Sequence, residues 1–379
     1  MRYLKTLFCL VLIVLLVANT ASSVSLVASR AVLVAQGGSD LLFNRGADVR
    51  HPPASITKVL TAILALERGN LDAQVTFSQQ AVSVGGSSLN ARAGDTFTLR
   101  DLVYAAMLIS ANDASNAIAE HLAGSLGSFN EMMNERAIEL GMRNSQFRNA
   151  HGMPEQGHFS TARDLALLGL HAHTVPLFTE IAGTERYVLS SGRVLHNQNR
   201  LLGEYWGVKG GKTGFTDEAG QCLLLIAERG GLVLVSVVLG SEGRNLWSDS
   251  EALLNFGFNN FTRQVLVSAR QTLGLLEVPL AGEVLVVAKN ELSRVVRTAV
   301  VRQAVPHIDL ELQKSLWPPL KPGQVVGEAI VTADGAQLGR VELTVPSYVP
   351  LFTAARVSIV IGVMTLFFAV VKLRRRWRR

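Results

Sequence analysis

The sequence predicts an α+β domain, an antiparallel sheet with a cluster of helices, followed by a small all-β domain and a C-terminal transmembrane helix. Three observations carry that prediction. Capped helices between about residues 55 and 173 are framed by short strands before them and long apolar strands after them. Beyond about residue 265 the chain turns to short apolar runs separated by turn residues. It closes on an apolar run and a block of basic residues. At 379 residues, 48% hydrophobic and 17% charged, it suits two globular domains with sorting segments.

Taken in order, Arg2 and Lys5 precede an apolar run from Leu7 to Ala18, and Ala21-Ser22-Ser23 fits a small-x-small cleavage site. That basic, apolar, small order is a secretory signal, assigned to residues 1–23. Cys9 lies inside the run rather than after it, which argues against a lipoprotein attachment site. The first domain, 24–264, opens with strands at Ala31 to Gln36 and Leu41 to Phe43. Pro52 and Pro53 lead into a helix from about Ser55 to Glu67, stopped at Gly69-Asn70. Thr98-x-x-Asp101 opens a helix to about Ile109, and another runs from Asn112 to Gly124. Ser128-x-x-Glu131 reads as a capping box for a helix to Leu140, with Gly141 as its stop. Ser160 or Thr161 caps a helix through about His173.

From residue 186 the period changes. Tyr187 to Leu189 and Val194 to His196 read as a hairpin. Gln221 to Glu228 and Leu232 to Leu239 read as strands apolar on both faces, as central strands packed under helices must be. A helix follows from about Asn245 to Phe256. Residues 265–346 read as a small β-rich domain with strands at Val284 to Ala288, Val295 to Val301, Val325 to Val331 and Leu338 to Thr344. Residues 350–371 read as a transmembrane anchor, since about 20 residues at roughly 1.5 Å each cross the hydrocarbon core. The alternative, a helix lying in the membrane surface, needs a polar face that is hard to find here. Residues 372–379, with Lys372, Arg374, Arg375, Arg376, Arg378 and Arg379, form a basic tail that stays on the cytoplasmic side. The body is therefore expected outside the cytoplasm, as the signal also implies.

The net charge of +6 does not make a nucleic-acid-binding protein. Removing the six terminal basic residues, Arg2 and Lys5 leaves an exported body of −2. Of two cysteines, one lies in the signal, so the mature chain has no internal disulfide. Cys222, in an apolar run, reads as a buried inert thiol. The histidines do not stand at H-E-x-x-H spacing, and no metal or cofactor is expected.

Three motifs stand in order: Ser55-Ile56-Thr57-Lys58, Ser110-Ala111-Asn112 and Lys212-Thr213-Gly214. Each alone is weak; together they describe a nucleophile, its base and a receptor for a carboxylate. Ser55 and Lys58, three apart at a helix start, share one face. A serine hydroxyl needs a base to take its proton. A lysine serves only if burial or a second cation, here Lys212, lowers its pKa. The helix N-terminus offers backbone N–H groups where an oxyanion would form. Ser110 is placed to pass a proton to a leaving amine, and Asn112 to hold a substrate amide. Lys212 and Thr213 suit a free carboxylate, and Gly214 lets a substrate backbone approach.

On these residues the chain resembles the serine D-alanyl-D-alanine carboxypeptidases, the low-molecular-weight penicillin-binding proteins. The resemblance extends to Pro53-Ala-Ser-Ile-Thr-Lys58, Ser110-Ala-Asn-Asp-Ala-Ser-Asn116 with Ala119-Glu-His121, Asn149-Ala-His-Gly-Met-Pro154, Phe159-Ser-Thr-Ala-Arg-Asp-Leu165 and Lys212-Thr-Gly-Phe-Thr-Asp-Glu-Ala-Gly220. It covers roughly residues 30 to 260, and Leu320-Lys-Pro-Gly-Gln-Val-Val-Gly327 looks like the small β domain of many members. It implies a β-lactamase/transpeptidase-like fold. It implies Ser55 as acylated nucleophile, Lys58 as general base, Ser110 and Asn112 as proton relay and substrate holder, and Lys212 and Thr213 as carboxylate binders. The Ser55 and Phe215 backbone N–H groups would form the oxyanion hole; Phe215 stands where some relatives have histidine. The implied partners are peptidoglycan stem peptides ending in D-Ala-D-Ala and, as covalent inhibitors, β-lactam antibiotics. The competing readings are a β-lactamase or D,D-endopeptidase of the same fold, or a non-catalytic wall-binding or antibiotic-sensing protein.

Overall fold

The structure, a computed structural model, describes residues 24–38, 40–299, 306–313, 316–333, 335–351 and 354–377. The predicted signal, 1–23, lies outside them. The chain divides into two compact units, Met1–Phe261 and Thr262–Arg379.

In the first unit, β1 (Arg30–Ala35) and β2 (Phe43–Arg45) form the opening hairpin. A 3₁₀ turn, Ala54–Ile56, runs straight into α1 (Thr57–Arg68). A small hairpin of β3 (Gln74–Thr76) and β4 (Thr96–Thr98) encloses the one-turn α2 (Gln79–Val82). Helices α3 (Leu99–Leu108), α4 (Asn112–Ala123), α5 (Leu126–Glu139), α6 (Ala162–Thr174) and α7 (Pro176–Ala182) follow. Then come the hairpin β5 (Arg186–Val188) and β6 (Val194–His196), the strands β7 (Val208–Thr216), β8 (Gly220–Arg229) and β9 (Leu232–Ser241), and α8 (Asn245–Asn260). The caps are where side-chain chemistry puts them. Thr98 and Thr161 accept from the amides of Asp101 and Asp164, and Gly124 ends α4 in the left-handed region. One expectation fails: α5 starts a turn earlier than Ser128. Ser125 is the cap, its Oγ accepting from the Ser128 amide at 3.1 Å.

The main sheet has the order β2-β1-β9-β8-β7, antiparallel throughout. Side chains alternate faces along β9, so Leu234 and Val235 point opposite ways. A Cβ on Gly257 of α8 would come within 2.5 Å of Leu234, and one on Gly169 of α6 within 2.6 Å of Val235. The sheet is thus covered by α8 on one face and the helical cluster on the other, which is why β8 and β9 are apolar on both. Helix α1 runs through the cluster with Thr57 to Ala65 all buried, so its first turn is held on every side.

In the second unit, β11 (Thr272–Val278), β12 (Gly282–Ala288), β16 (Ala336–Thr344), β15 (Val325–Ala333) and β14 (His307–Leu312) make one sheet in that order, and β10 (Phe261–Val267) pairs with β13 (Leu292–Arg297). They enclose a core that includes Leu276, Val286, Val331 and Leu343. The last helix, α9 (Ala354–Trp377), has 24 residues. Among the described residues no single helix is long and apolar enough to cross a membrane; the apolar part of α9 so described is Ile361–Val370.

Candidate active site

Ser55 does not sit in the first turn of α1 itself but in the 3₁₀ turn that feeds it. The residue before it, Ala54, has φ 47°, a left-handed conformation a non-glycine residue rarely adopts. The loop 149–153 holds this turn. A Cβ on Gly152 would lie 1.8 Å from the Ala54 carbonyl oxygen, so only glycine fits against it. Thr61 Oγ1 donates to the Ala150 carbonyl at 2.7 Å, and Lys58 Nζ donates to the His151 carbonyl at 2.6 Å. Lys58 Nζ is 2.9 Å from Ser55 Oγ.

Lys58 is fully buried. Burial, reinforced by the nearby charge of Lys212 and opposed by Asp113, holds its pKa well below the usual lysine range. Lys212 on β7 is also buried, and burial pushes it down to about 7. Its Nζ donates to the Thr213 carbonyl at 3.0 Å. Two ammonium groups that both lose hydration and repel one another favour a state in which one is neutral.

The open face of the site is a cleft of about 720 Å³ lined by Ser55, Ser110, Thr213, Gly214 and Phe215 together with Ser87, Arg200, Arg244 and Trp247. Of the residues read from sequence, Ser55, Ser110, Thr213, Gly214 and Phe215 line that cleft; Lys58, Asn112 and Lys212 do not, and are buried. Gly214 passes close to the nucleophile: a Cβ there would stand 2.9 Å from the Ser55 amide nitrogen. Ser110, at φ 63°, is a second left-handed non-glycine residue on the wall. Asn112 donates from its backbone to the Ser87 carbonyl at 2.8 Å and from Nδ2 to the Gly85 carbonyl at 2.7 Å.

Three supporting residues were not singled out from sequence. Asp113 accepts from Ser88 Oγ and from the Leu89 and Ala91 amides, tying the 85–91 loop to α4. His158 Nδ1 accepts from the Arg148 amide at 3.1 Å, so its proton is on Nε2, which donates to Thr57 Oγ1 at 2.9 Å. His151 contributes its carbonyl. Burial, with Lys58 adding to it, pushes His151 down to about 3 and His158 to about 4, so both are neutral at pH 7 and serve as props rather than acids or bases. The motif that holds His151, Asn149 to Pro154, was visible in the sequence, but backbone carbonyls leave no side-chain pattern.

Comparison with known proteins agrees with this geometry. The sequence profile of the D-alanyl-D-alanine carboxypeptidase family, peptidase S11, matches residues 17–243. The D-alanyl-D-alanine carboxypeptidase DacF of Bacillus subtilis is 30% identical over 323 residues, 82% of this chain and 83% of its own. Among solved structures, penicillin binding protein 5 from Haemophilus influenzae superposes with a TM-score of 0.70 at 27% identity, over 86% of this chain and 98% of that one. Penicillin-Binding Protein D2 from Listeria monocytogenes, in its ampicillin bound form, gives 0.58 at 33% identity, over 62% of this chain and 99% of that one.

Proposed function

The chain belongs to the D-alanyl-D-alanine carboxypeptidase family, and from that premise we propose that it removes the terminal D-alanine of peptidoglycan pentapeptide stems through an acyl-enzyme on Ser55. The observation that carries the reading is Ser55 Oγ within 2.9 Å of a fully buried lysine whose pKa is depressed. A neutral Lys58 has two N–H bonds and a lone pair. With one N–H held by the His151 carbonyl, the lone pair takes the Ser55 proton as Oγ attacks the penultimate carbonyl carbon. The Ser55 amide, and the Phe215 amide beside it in sequence to Gly214, stabilise the oxyanion. The C–N bond then breaks, and the amine of the departing D-alanine receives the proton by way of Ser110. Asn112 orients the stem peptide. Lys212, through its charge, and Thr213, through its hydroxyl, select a substrate with a free carboxylate, which favours carboxypeptidase over endopeptidase action. Water then attacks the ester and frees Ser55. A β-lactam enters by the same attack, but its leaving amine stays tethered, so the adduct persists.

The remaining assignments belong to the same proposal. Residues 1–23 direct export, and 24–264 form the catalytic domain. Residues 265–346 form a separate β domain that spaces it from the membrane, 350–371 span the membrane, and 372–379 remain cytoplasmic. Of α9, residues 354–371 reach about 27 Å, close to the roughly 30 Å hydrocarbon core. The test is product analysis. Purified full chain incubated with a pentapeptide stem is expected to release free D-alanine and leave cross-linked stem dimers intact. Cleavage of dimers without D-alanine release would replace the carboxypeptidase reading by the endopeptidase one.

A further inference from the structure

Away from the cleft, the second unit exposes several large apolar side chains, among them Tyr348 shortly before α9. Leu275 and Leu285 are cross-strand partners on β11 and β12, and both are exposed, so they share the outer face of that hairpin. Leu280, also exposed, lies in the segment that turns the hairpin. Leu285 and Tyr348 line one shallow depression of about 310 Å³. Tyr348 precedes Val349, whose backbone exchanges two hydrogen bonds with Leu320. Trp317, 63% exposed, stands three residues before Leu320. An isolated bridge thus joins two segments, with Trp317 three residues before one end and Tyr348 next to the other.

Chain length limits how far this surface is from α9. Ala354 is six steps along the chain from Tyr348, at most about 20 Å of extended chain. Among the α9 residues whose side chains are described, Ile361–Val370 is an apolar, exposed stretch. Resting on the anchor reading above, which starts the span at residue 350, the bilayer surface falls within a few residues of Tyr348. Tryptophan and tyrosine, each an apolar ring with a polar group, are the side chains suited to that layer. Glu283 lines the same depression and faces Glu277 across the strands, on the side that carries Leu275 and Leu285, so two exposed carboxylates disfavour anionic lipid and leave the apolar side chains as the only attraction offered there.

We propose that the β11–β12 hairpin, with Trp317 and Tyr348, rests in the interfacial layer of the bilayer that holds α9, so that the second unit touches lipid directly. The test uses the full chain in phosphatidylcholine vesicles whose acyl chains are brominated near the headgroup. In one variant Trp317 is the sole tryptophan (Trp206→Phe, Trp247→Phe, Trp377→Phe). In a second, Trp317→Phe and Leu280→Trp are added so that the hairpin turn reports. Both are expected to co-float with vesicles, to shift their emission to shorter wavelength on doing so, and to lose most of their intensity in brominated relative to unbrominated lipid, with no recovery in high salt. Co-flotation with neither probe quenched would overturn the contact surface while leaving the anchor in place. Failure to co-float at all would overturn the anchor, and this proposal with it.

Discussion

Replacing Lys58 with alanine is expected to lower kcat/KM for D-alanine release, and the rate of acylation by penicillin, by about 10²–10⁴-fold, the usual range for loss of a general base. The expectation follows from position and burial. Lys58 is the group 2.9 Å from Ser55 Oγ, and desolvation keeps it neutral at a pH where an exposed lysine would be charged. Lys58→Arg is the sharper variant. It keeps a long basic side chain, but a guanidinium stays protonated even when buried and has no lone pair to receive a proton, so it is expected to be as inactive as alanine. Stopped-flow acylation checks both. A Lys58→Arg protein that acylates within about tenfold of the parent would remove Lys58 from the role of base, since tenfold is only about 1.4 kcal/mol of barrier.

The second large effect concerns Lys212. Truncation to alanine removes a buried charge from carboxylate recognition, a loss of about 2–5 kcal/mol, or roughly thirtyfold to several thousandfold in kcat/KM. The pH dependence is more telling. Burial depresses Lys212 from 10.5 to about 7, so in the free protein the ammonium is complete below that value and disappears as pH rises through it. The profile of kcat/KM is therefore expected to fall on an alkaline limb near pH 7 and on a separate acid limb where Lys58 becomes protonated. In Lys212→Arg the guanidinium stays charged, so the alkaline limb near 7 is expected to vanish while the acid limb remains. An unchanged alkaline limb in that variant would assign it to another group.

Some of this was legible in the sequence for plain physical reasons. The spacing of Ser55 and Lys58 puts both on one face in a 3₁₀ or an α turn alike, and the 3₁₀ turn that holds Ser55 runs straight into the buried start of α1. The unbroken apolar runs of β8 and β9 required cover on both faces, which α6 and α8 supply through Gly169 and Gly257. The range of β7 was not legible. Its sequence, Val208-Lys-Gly-Gly-Lys-Thr-Gly-Phe-Thr216, holds three glycines and two lysines, residues of low strand propensity, and its place is dictated by contacts that only the folded chain makes. Lys212-Thr213-Gly214 lies inside that strand. The capping pattern at Ser128 misled because Ser125, three residues earlier, makes the same bond with the helix. The role of 149–158 was hidden because it rests on the carbonyls of Ala150 and His151 and on one histidine tautomer. Asp113 was hidden for a different reason: its partners in the 85–91 loop are more than twenty residues away.

The most direct test of the central claim, a serine made nucleophilic by a neutral lysine one turn away, is to locate the covalent bond. Full-length protein is mixed with penicillin, digested and examined by mass spectrometry. One equivalent of penicilloyl adduct is expected on the peptide containing Ser55, absent in Ser55→Ala at equal folding by thermal melting. An adduct on any other residue, or undiminished labelling of Ser55→Ala, would contradict the account.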